Sequence, residues 1–113
     1  NASRITISQS TDAPDGFTNS VLVTSSSAAS IGVSDYTGLC QIIEGYNIAD
    51  LAWGTANAKT ITISFWVRSS LTGLFGGAVQ NEAGNRSYVY SYTINQANTW
   101  QYVTATIPGD TSF

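Results

Sequence analysis

The side chains of this sequence that could do acid–base or nucleophilic chemistry are few. The chain has no histidine, so the usual serine–histidine and cysteine–histidine nucleophiles and the commonest general base are missing. It has seven carboxylates, and a glycosidase needs only two. They are Asp12, Asp15, Asp35, Glu44, Asp50, Glu82 and Asp110. None of them forms a recognisable pair on one strand face, and no glycine-rich loop precedes the lysine of a phosphate-binding motif. The sequence therefore predicts no catalytic residue and a protein that is not an enzyme.

Three of the carboxylates lie in turns, where they could bind a cation. Asp12 and Asp15 flank Pro14, and Asp110 follows the Pro-Gly pair near the end of the sequence. Loop oxygens are the ligands that Ca²⁺ prefers, although the spacing is not that of an EF-hand. A structural calcium site at Asp12, Asp15 and Asp110 is one hypothesis, and we favour the other, in which these residues only form turns. No other cofactor is expected.

Aromatic side chains in an uncharged setting are the positive indication of a ligand. Sugar rings stack on exposed Trp and Tyr faces, while neighbouring amides and hydroxyls bind the sugar hydroxyls. The candidate glycan-binding residues are Trp66, Tyr88, Tyr90, Tyr92 and Trp100, and Tyr102 belongs to the same aromatic set. Tyr88, Tyr90 and Tyr92 alternate along one predicted strand and form the best candidate surface. For each residue the alternative, which we favour, is burial in the core or at a subunit interface.

Length and composition limit the class of protein. A chain of 113 residues is predicted to form a single domain, residues 1–113, which we expect to be a piece of a longer protein. Only 10% of the residues are charged, whereas 42% are hydrophobic and Ser, Thr, Asn and Gly are abundant. This composition indicates an all-β protein with a neutral surface, typical of extracellular and particle-borne domains. The lone Cys40 is predicted to be a small buried hydrophobic residue.

Charge argues against two kinds of partner. The formal net charge is −3, and the four cationic residues are far apart in the sequence. Nucleic-acid binding and a polybasic membrane patch both need clustered Lys and Arg, so neither is expected. No segment approaches the length of a membrane span, and membrane insertion is not expected.

The elements that must position these residues are predicted to be short strands separated by turns. The predicted strands are 4–9, 20–25, 39–44, 60–67, 74–81, 86–94 and 99–107. A single helical turn capped by Asn47 is expected between the third and fourth strands. The paired Gly76 and Gly77 indicate a bulge or a close approach of another backbone.

The strand at residues 60–67 is the most clearly patterned element. Its apolar residues alternate with Thr, Ser and Trp66, which places one apolar face toward a core and Trp66 on the opposite face. The residues of the predicted core face are Ile61, Ile63, Phe65 and Val67. Seven strands at spacings near ten residues predict an antiparallel β-sandwich.

Three sequence segments resemble a known class of module. They are QSTDAPDGFTNSV, IIEGYNIADLAWGTANAKTITISFWVRSSLTG and SYTINQANTWQYVTATIPGDTS. Together they resemble the jelly-roll modules of phage virion proteins, particularly tail-fibre and appendage proteins, which are similar to carbohydrate-binding modules. The resemblance covers about residues 4–112 and implies a jelly-roll-like β-sandwich on a virion, commonly in a trimeric fibre or spike.

Two functions follow as hypotheses from these observations. The first is a structural module of a virion, a fibre, spike or decoration protein that serves assembly, display and host-surface attachment, with other virion subunits as partners in a homo-oligomer. The alternative is a carbohydrate-binding module that recognises a cell-surface glycan. Modules of the resembled class usually continue with further strands beyond IPGDTS. We therefore expect either a fragment or an incomplete sandwich to which another polypeptide adds strands.

Overall fold

The computed structural model describes residues 4–113, and the chain forms two compact units. The N-terminal unit extends to Ile42, and the C-terminal unit runs from Ile43 to Phe113. Among the described residues there are six strands, one four-residue helix and one short 3-10 turn. Every strand pairing is antiparallel. The all-β prediction is therefore confirmed.

The N-terminal unit contains a two-stranded hairpin. Its strands are β1 (Ile5–Ser10) and β2 (Ser20–Ser25). The connecting loop bends where the Phe17 amide donates to the Pro14 carbonyl at 3.0 Å, and Gly16 takes a φ of 90°, which favours glycine. Ser20 Oγ donates to the Asp12 carbonyl at 2.6 Å and ties the loop to β2.

The hairpin exposes an aliphatic face. Ile7 lies directly opposite Val23, and Val21 follows on the same side of the ladder. Their exposed fractions are 53%, 45% and 59% respectively. We call these three residues, Ile7, Val21 and Val23, the aliphatic face. In an isolated hairpin this face would be open to water, which is unfavourable for apolar side chains.

The predicted third strand, residues 39–44, is wrong. The segment has no regular secondary structure, and Leu39, Ile42 and Ile43 are exposed. A strand forms only when its backbone groups find a ladder partner, and among residues 4–113 no strand pairs with this segment. The prediction that Cys40 is buried is wrong for the same reason, because the segment that carries it is exposed.

The C-terminal unit contains four strands in two antiparallel pairs. They are β3 (Ile61–Val67), β4 (Gly73–Gln80), β5 (Ser87–Ile94) and β6 (Gln101–Ile107). β3 pairs with β6, and β4 pairs with β5. The chain enters this unit through α1 (Gly45–Ile48) and a 3-10 turn at Ala49–Leu51.

The predicted cap at Asn47 is also wrong. Asn47 lies inside α1, and the residue before the helix is Glu44, which makes no side-chain cap. Instead, Asn47 Nδ2 donates to Glu44 Oε2 at 3.2 Å. The helical turn itself was predicted correctly.

The core of the C-terminal unit lies where the two strand pairs meet. Phe65 of β3 contacts Tyr92 of β5, with ring centroids 5.3 Å apart, and Tyr92 stacks on Phe75 of β4 at 6.0 Å. The buried hydrophobic residues of the described chain belong to β5 and β6: Ile94, Val103 and Ile107. The predicted inward face of β3 is confirmed, since its residues alternate between half-buried and exposed.

The paired glycines of β4 mark no bulge, and at Gly77 the group that comes close is a tyrosine side chain and not another backbone. The β4–β5 register is continuous through Gly76 and Gly77. A Cβ atom at Gly77 would collide with the hydroxyl of Tyr90, its direct partner on β5. The missing side chain thus makes room for the Tyr90 ring to lie across the strand.

Among residues 4–113, no helix has the length and apolar character needed to cross a membrane.

Candidate functional site

The predicted tyrosine stripe faces inward. Tyr90 and Tyr92 are half-buried, and both rings approach Phe65. Burial raises the pKa of the Tyr92 hydroxyl above its ordinary value, with a smaller contribution from Tyr90. Tyr88 lies on the same face and stays 41% exposed. Tyr90 and Tyr92 are therefore packing residues of the core, whereas Tyr88 is as exposed as Trp66.

Trp66 points the other way, as its place in the alternation predicts. It lies opposite Tyr102 in the β3–β6 ladder, and the two rings are 5.3 Å apart and tilted by 48°. Trp66 is 42% exposed and Tyr102 is 54% exposed. Because the opposite faces of these strands carry the core residues Phe65 and Val103, the two rings are held on the outer face by the strand geometry itself.

Hydroxyl side chains fill the rest of this outer face. Ser64 lies opposite Thr104, and the Oγ1 atoms of Thr62 and Thr106 share a hydrogen bond of 3.2 Å. We call the whole surface the aromatic–hydroxyl face. Its six residues are Thr62, Ser64, Trp66, Tyr102, Thr104 and Thr106. None of them is charged.

Trp100 lies outside the ladder. It precedes the first residue of β6 and is half-buried. Of the predicted glycan-binding residues, Trp66 and Tyr88 are exposed, whereas Tyr90 and Tyr92 pack against the core residue Phe65. Sequence reasoning did not include Tyr102 among the candidate site residues. Tyr102 is the neighbour of the apolar Val103 in the alternating pattern of β6, and this was the available signal. Its pairing with Trp66 depends on a register that only the fold supplies.

Asp110 is held by an arginine. Arg86 Nε and Nη2 donate to the two carboxylate oxygens of Asp110 at 2.7 and 2.8 Å, and the Ser112 amide donates to the same carboxylate at 2.9 Å. The hydrogen bonds from Arg86, then that from Ser112, hold the pKa of Asp110 below its ordinary value, and the carboxylate raises the pKa of Arg86. This carboxylate therefore serves to fasten the start of β5 to the segment after β6.

The other two carboxylates of the predicted calcium site belong to the N-terminal unit. Asp12 and Asp15 lie in the hairpin loop, whereas Asp110 lies in the C-terminal unit. Within residues 4–113, no group of three or more His, Cys, Asp or Glu side chains could hold a metal ion. Calcium binding by these residues stays a prediction without structural support.

A pocket of about 590 Å³ opens beside the Arg86–Asp110 pair in the C-terminal unit. On one side Trp53 meets Phe113 edge to face at 5.1 Å, and Trp53 Nε1 donates to the Lys59 carbonyl at 2.8 Å. The charged residues that line the pocket are Arg86 and Asp110, which are bonded to each other.

No protein-family model matches the chain, and searches of curated proteins and of solved structures find no significant match.

Proposed function

We propose that this chain is a non-enzymatic structural module of a phage or virus particle, a fibre, spike or decoration element that serves assembly and display. In the assembled state it belongs to a jelly-roll-like β-sandwich, and its partners are further copies of itself, with a trimer favoured. The single observation that carries the proposal is the exposed aliphatic face of the hairpin.

The aliphatic face needs a cover. A two-stranded hairpin alone in water is marginally stable at best, and this one exposes Ile7, Val21 and Val23 on one side. Burial of such side chains contributes about 1.5–3 kcal/mol each when it is complete. A hydrophobic surface of this kind on an ordered strand pair is typical of a protein–protein contact.

The strand edges support the same reading. The described residues form three sheets, and each sheet has only two strands. Every strand therefore has one edge without a strand partner among residues 4–113. Proteins normally cover or pair such edges, and an added strand supplies both main-chain hydrogen bonds and apolar cover.

A particle is the setting that accounts for these features together. The low charge and abundant hydroxyl and amide side chains suit an extracellular assembly, and the three sequence segments quoted above resemble virion modules. Repetition of one chain around a fibre axis would give each aliphatic face the same neighbour, which is how a homo-oligomer buries a shared surface. Host-surface attachment is a compatible role for such a module.

The experiment is a comparison of two double variants in the full protein. Val21→Thr with Val23→Thr keeps the side-chain shape and makes the aliphatic face polar, whereas Thr6→Ser with Thr24→Ser changes the opposite side of the same hairpin. Light scattering should show a homo-oligomer for the wild-type protein, and the valine variant should dissociate at a concentration at least about tenfold higher. The threonine variant should assemble like the wild type.

Two results would contradict the proposal. One is a wild-type protein that stays monomeric over the whole concentration range, and the other is a pair of variants with the same oligomeric state. Mass spectrometry of purified particles tests the location, since peptides of this chain should be recovered from the particles and not only from the surrounding lysate.

A further inference from the structure

We infer that the aromatic–hydroxyl face is a binding surface for an uncharged glycan, with Trp66 and Tyr102 as the residues on which sugar rings stack. This inference does not depend on the assembly proposal, because it concerns the outer face of the β3–β6 ladder in the C-terminal unit and not the aliphatic face of the hairpin.

The chemistry of the face fits a sugar. A pyranose ring has apolar C–H groups on its faces and hydroxyls around its rim, so it is bound by an aromatic surface beside hydrogen-bonding groups. Trp66 and Tyr102 provide two neighbouring rings, with centroids 5.3 Å apart, and the two residues are 42% and 54% exposed. Ser64 and Thr104 come next along the ladder and carry hydroxyls that can both donate and accept.

The two exposed surfaces of this chain differ in a way that favours a glycan here. The aliphatic face consists of Ile and Val, which offer no hydrogen bonds and suit a polypeptide. Apart from its two aromatic residues, the aromatic–hydroxyl face contains only Ser and Thr. The hydroxyls of Thr62 and Thr106 bond each other, but an apolar protein surface would leave those of Ser64, Tyr102 and Thr104 without partners, whereas a glycan brings a matching set of hydroxyls.

The geometry sets the size and charge of the ligand. From Thr62 to Trp66 the face extends for about 13 Å along the strand, which accommodates more than one sugar residue. The rings are tilted by 48° to each other, so successive sugar rings that stack on them must also be tilted. None of the six residues of the face is charged, so none of them pairs with a carboxylate or sulfate, and a neutral glycan is the class that they fit.

The test uses neutral and charged oligosaccharides as probes. Cellohexaose, maltohexaose and chitohexaose are the neutral probes, and a hyaluronan hexasaccharide is the charged one, each titrated calorimetrically against the full protein. We expect binding of at least one neutral probe, no comparable binding of hyaluronan, and a loss of at least about tenfold in affinity for Trp66→Ala and for Tyr102→Ala. The matched control is Tyr46→Ala, which removes a fully exposed aromatic ring of α1 and should leave the affinity unchanged.

Folding and occupancy are measured in the same series. Circular dichroism must show that the variants keep the wild-type strand signal, and Trp66→Phe, which keeps an aromatic ring, should recover most of the affinity. The inference is overturned if no neutral probe binds at millimolar concentration, if Trp66→Ala binds like the wild type, or if hyaluronan binds best. It is also overturned if acrylamide cannot reach Trp66 in the native oligomer, because a polypeptide then covers the face.

Discussion

At the scale of single residues, the clearest electrostatic interaction is the fork between Arg86 and Asp110. Arg86 lies directly before β5 and Asp110 lies after β6, so the fork joins these two segments. In addition, the Gly54 amide donates a hydrogen bond to the Asp110 carbonyl at 2.8 Å. The next residue toward β6, Gly109, approaches the chain so closely that a Cβ there would collide with the Ala58 carbonyl. This corner of the C-terminal unit therefore depends on one ion pair and one glycine.

The ion pair predicts a pH dependence. The pKa of Asp110 lies below its ordinary value of 3.8 in the folded protein, so the folded state favours the charged form. The resulting stability is fully present above that ordinary value and is lost as the pH falls through the folded pKa. We expect Asp110→Asn to lower the thermal unfolding midpoint at neutral pH and to reduce the further fall toward about pH 3.

The control for this prediction is Glu82→Gln, which removes a carboxylate from the turn between β4 and β5. It should keep the wild-type difference between the two pH values. If Asp110→Asn shows the full wild-type fall, the Arg86–Asp110 pair is not its source.

At the scale of elements, β3 separates a packing face from a surface face. Phe65 contacts Tyr90 and Tyr92 on the inner side, whereas Trp66 meets Tyr102 on the outer side. The period of two along a strand makes neighbouring residues differ in role, although both are aromatic.

This alternation predicts unequal costs for two neighbouring substitutions. Phe65→Ala should lower the free energy of unfolding by about 3 kcal/mol, because it leaves a gap between the strand pairs. Trp66→Ala should cost about 1 kcal/mol, the size of one aromatic contact on an open face. Urea unfolding of both variants measures the difference, and equal losses would mean that Trp66 is buried in the native assembly.

At the scale of the whole molecule, the two units differ in how they are stabilised. The buried core residues of the described chain, Ile94, Val103 and Ile107, lie in the C-terminal unit, whereas the hairpin of the N-terminal unit exposes its aliphatic face. The C-terminal unit therefore has a hydrophobic core, whereas the apolar residues of the aliphatic face in the N-terminal unit are exposed.

Hydrogen exchange should report this difference. In the dissociated chain we expect the slowest amide exchange in β5 and β6 and fast exchange in β1 and β2. In the assembled state the hairpin amides should slow markedly, while those of β6 change little. Exchange followed by mass spectrometry on the two states checks this, and a hairpin that is equally protected in both would show that assembly does not cover it.

Much of the fold could be predicted from local pattern. The strands around Ile63, Val89 and Val103 were expected within one or two residues of their observed bounds, because alternation and turn residues are local signals. The segment at 39–44 has the composition of a strand and is not one, since composition cannot supply a ladder partner. The tyrosines of β5 were correctly placed on one face, but the pattern could not say whether that face meets a core or water.

Residue types and their spacing alone indicate that the chain is all-β and that Trp66 and Phe65 lie on opposite sides of one strand. These properties depend only on residue type and on the period of two. The tertiary structure decided that β3 pairs with β6, that Tyr102 lies beside Trp66, and that Arg86 binds Asp110 across 24 residues of sequence. Such pairings join distant parts of the chain, and their register follows from which apolar faces can be buried together.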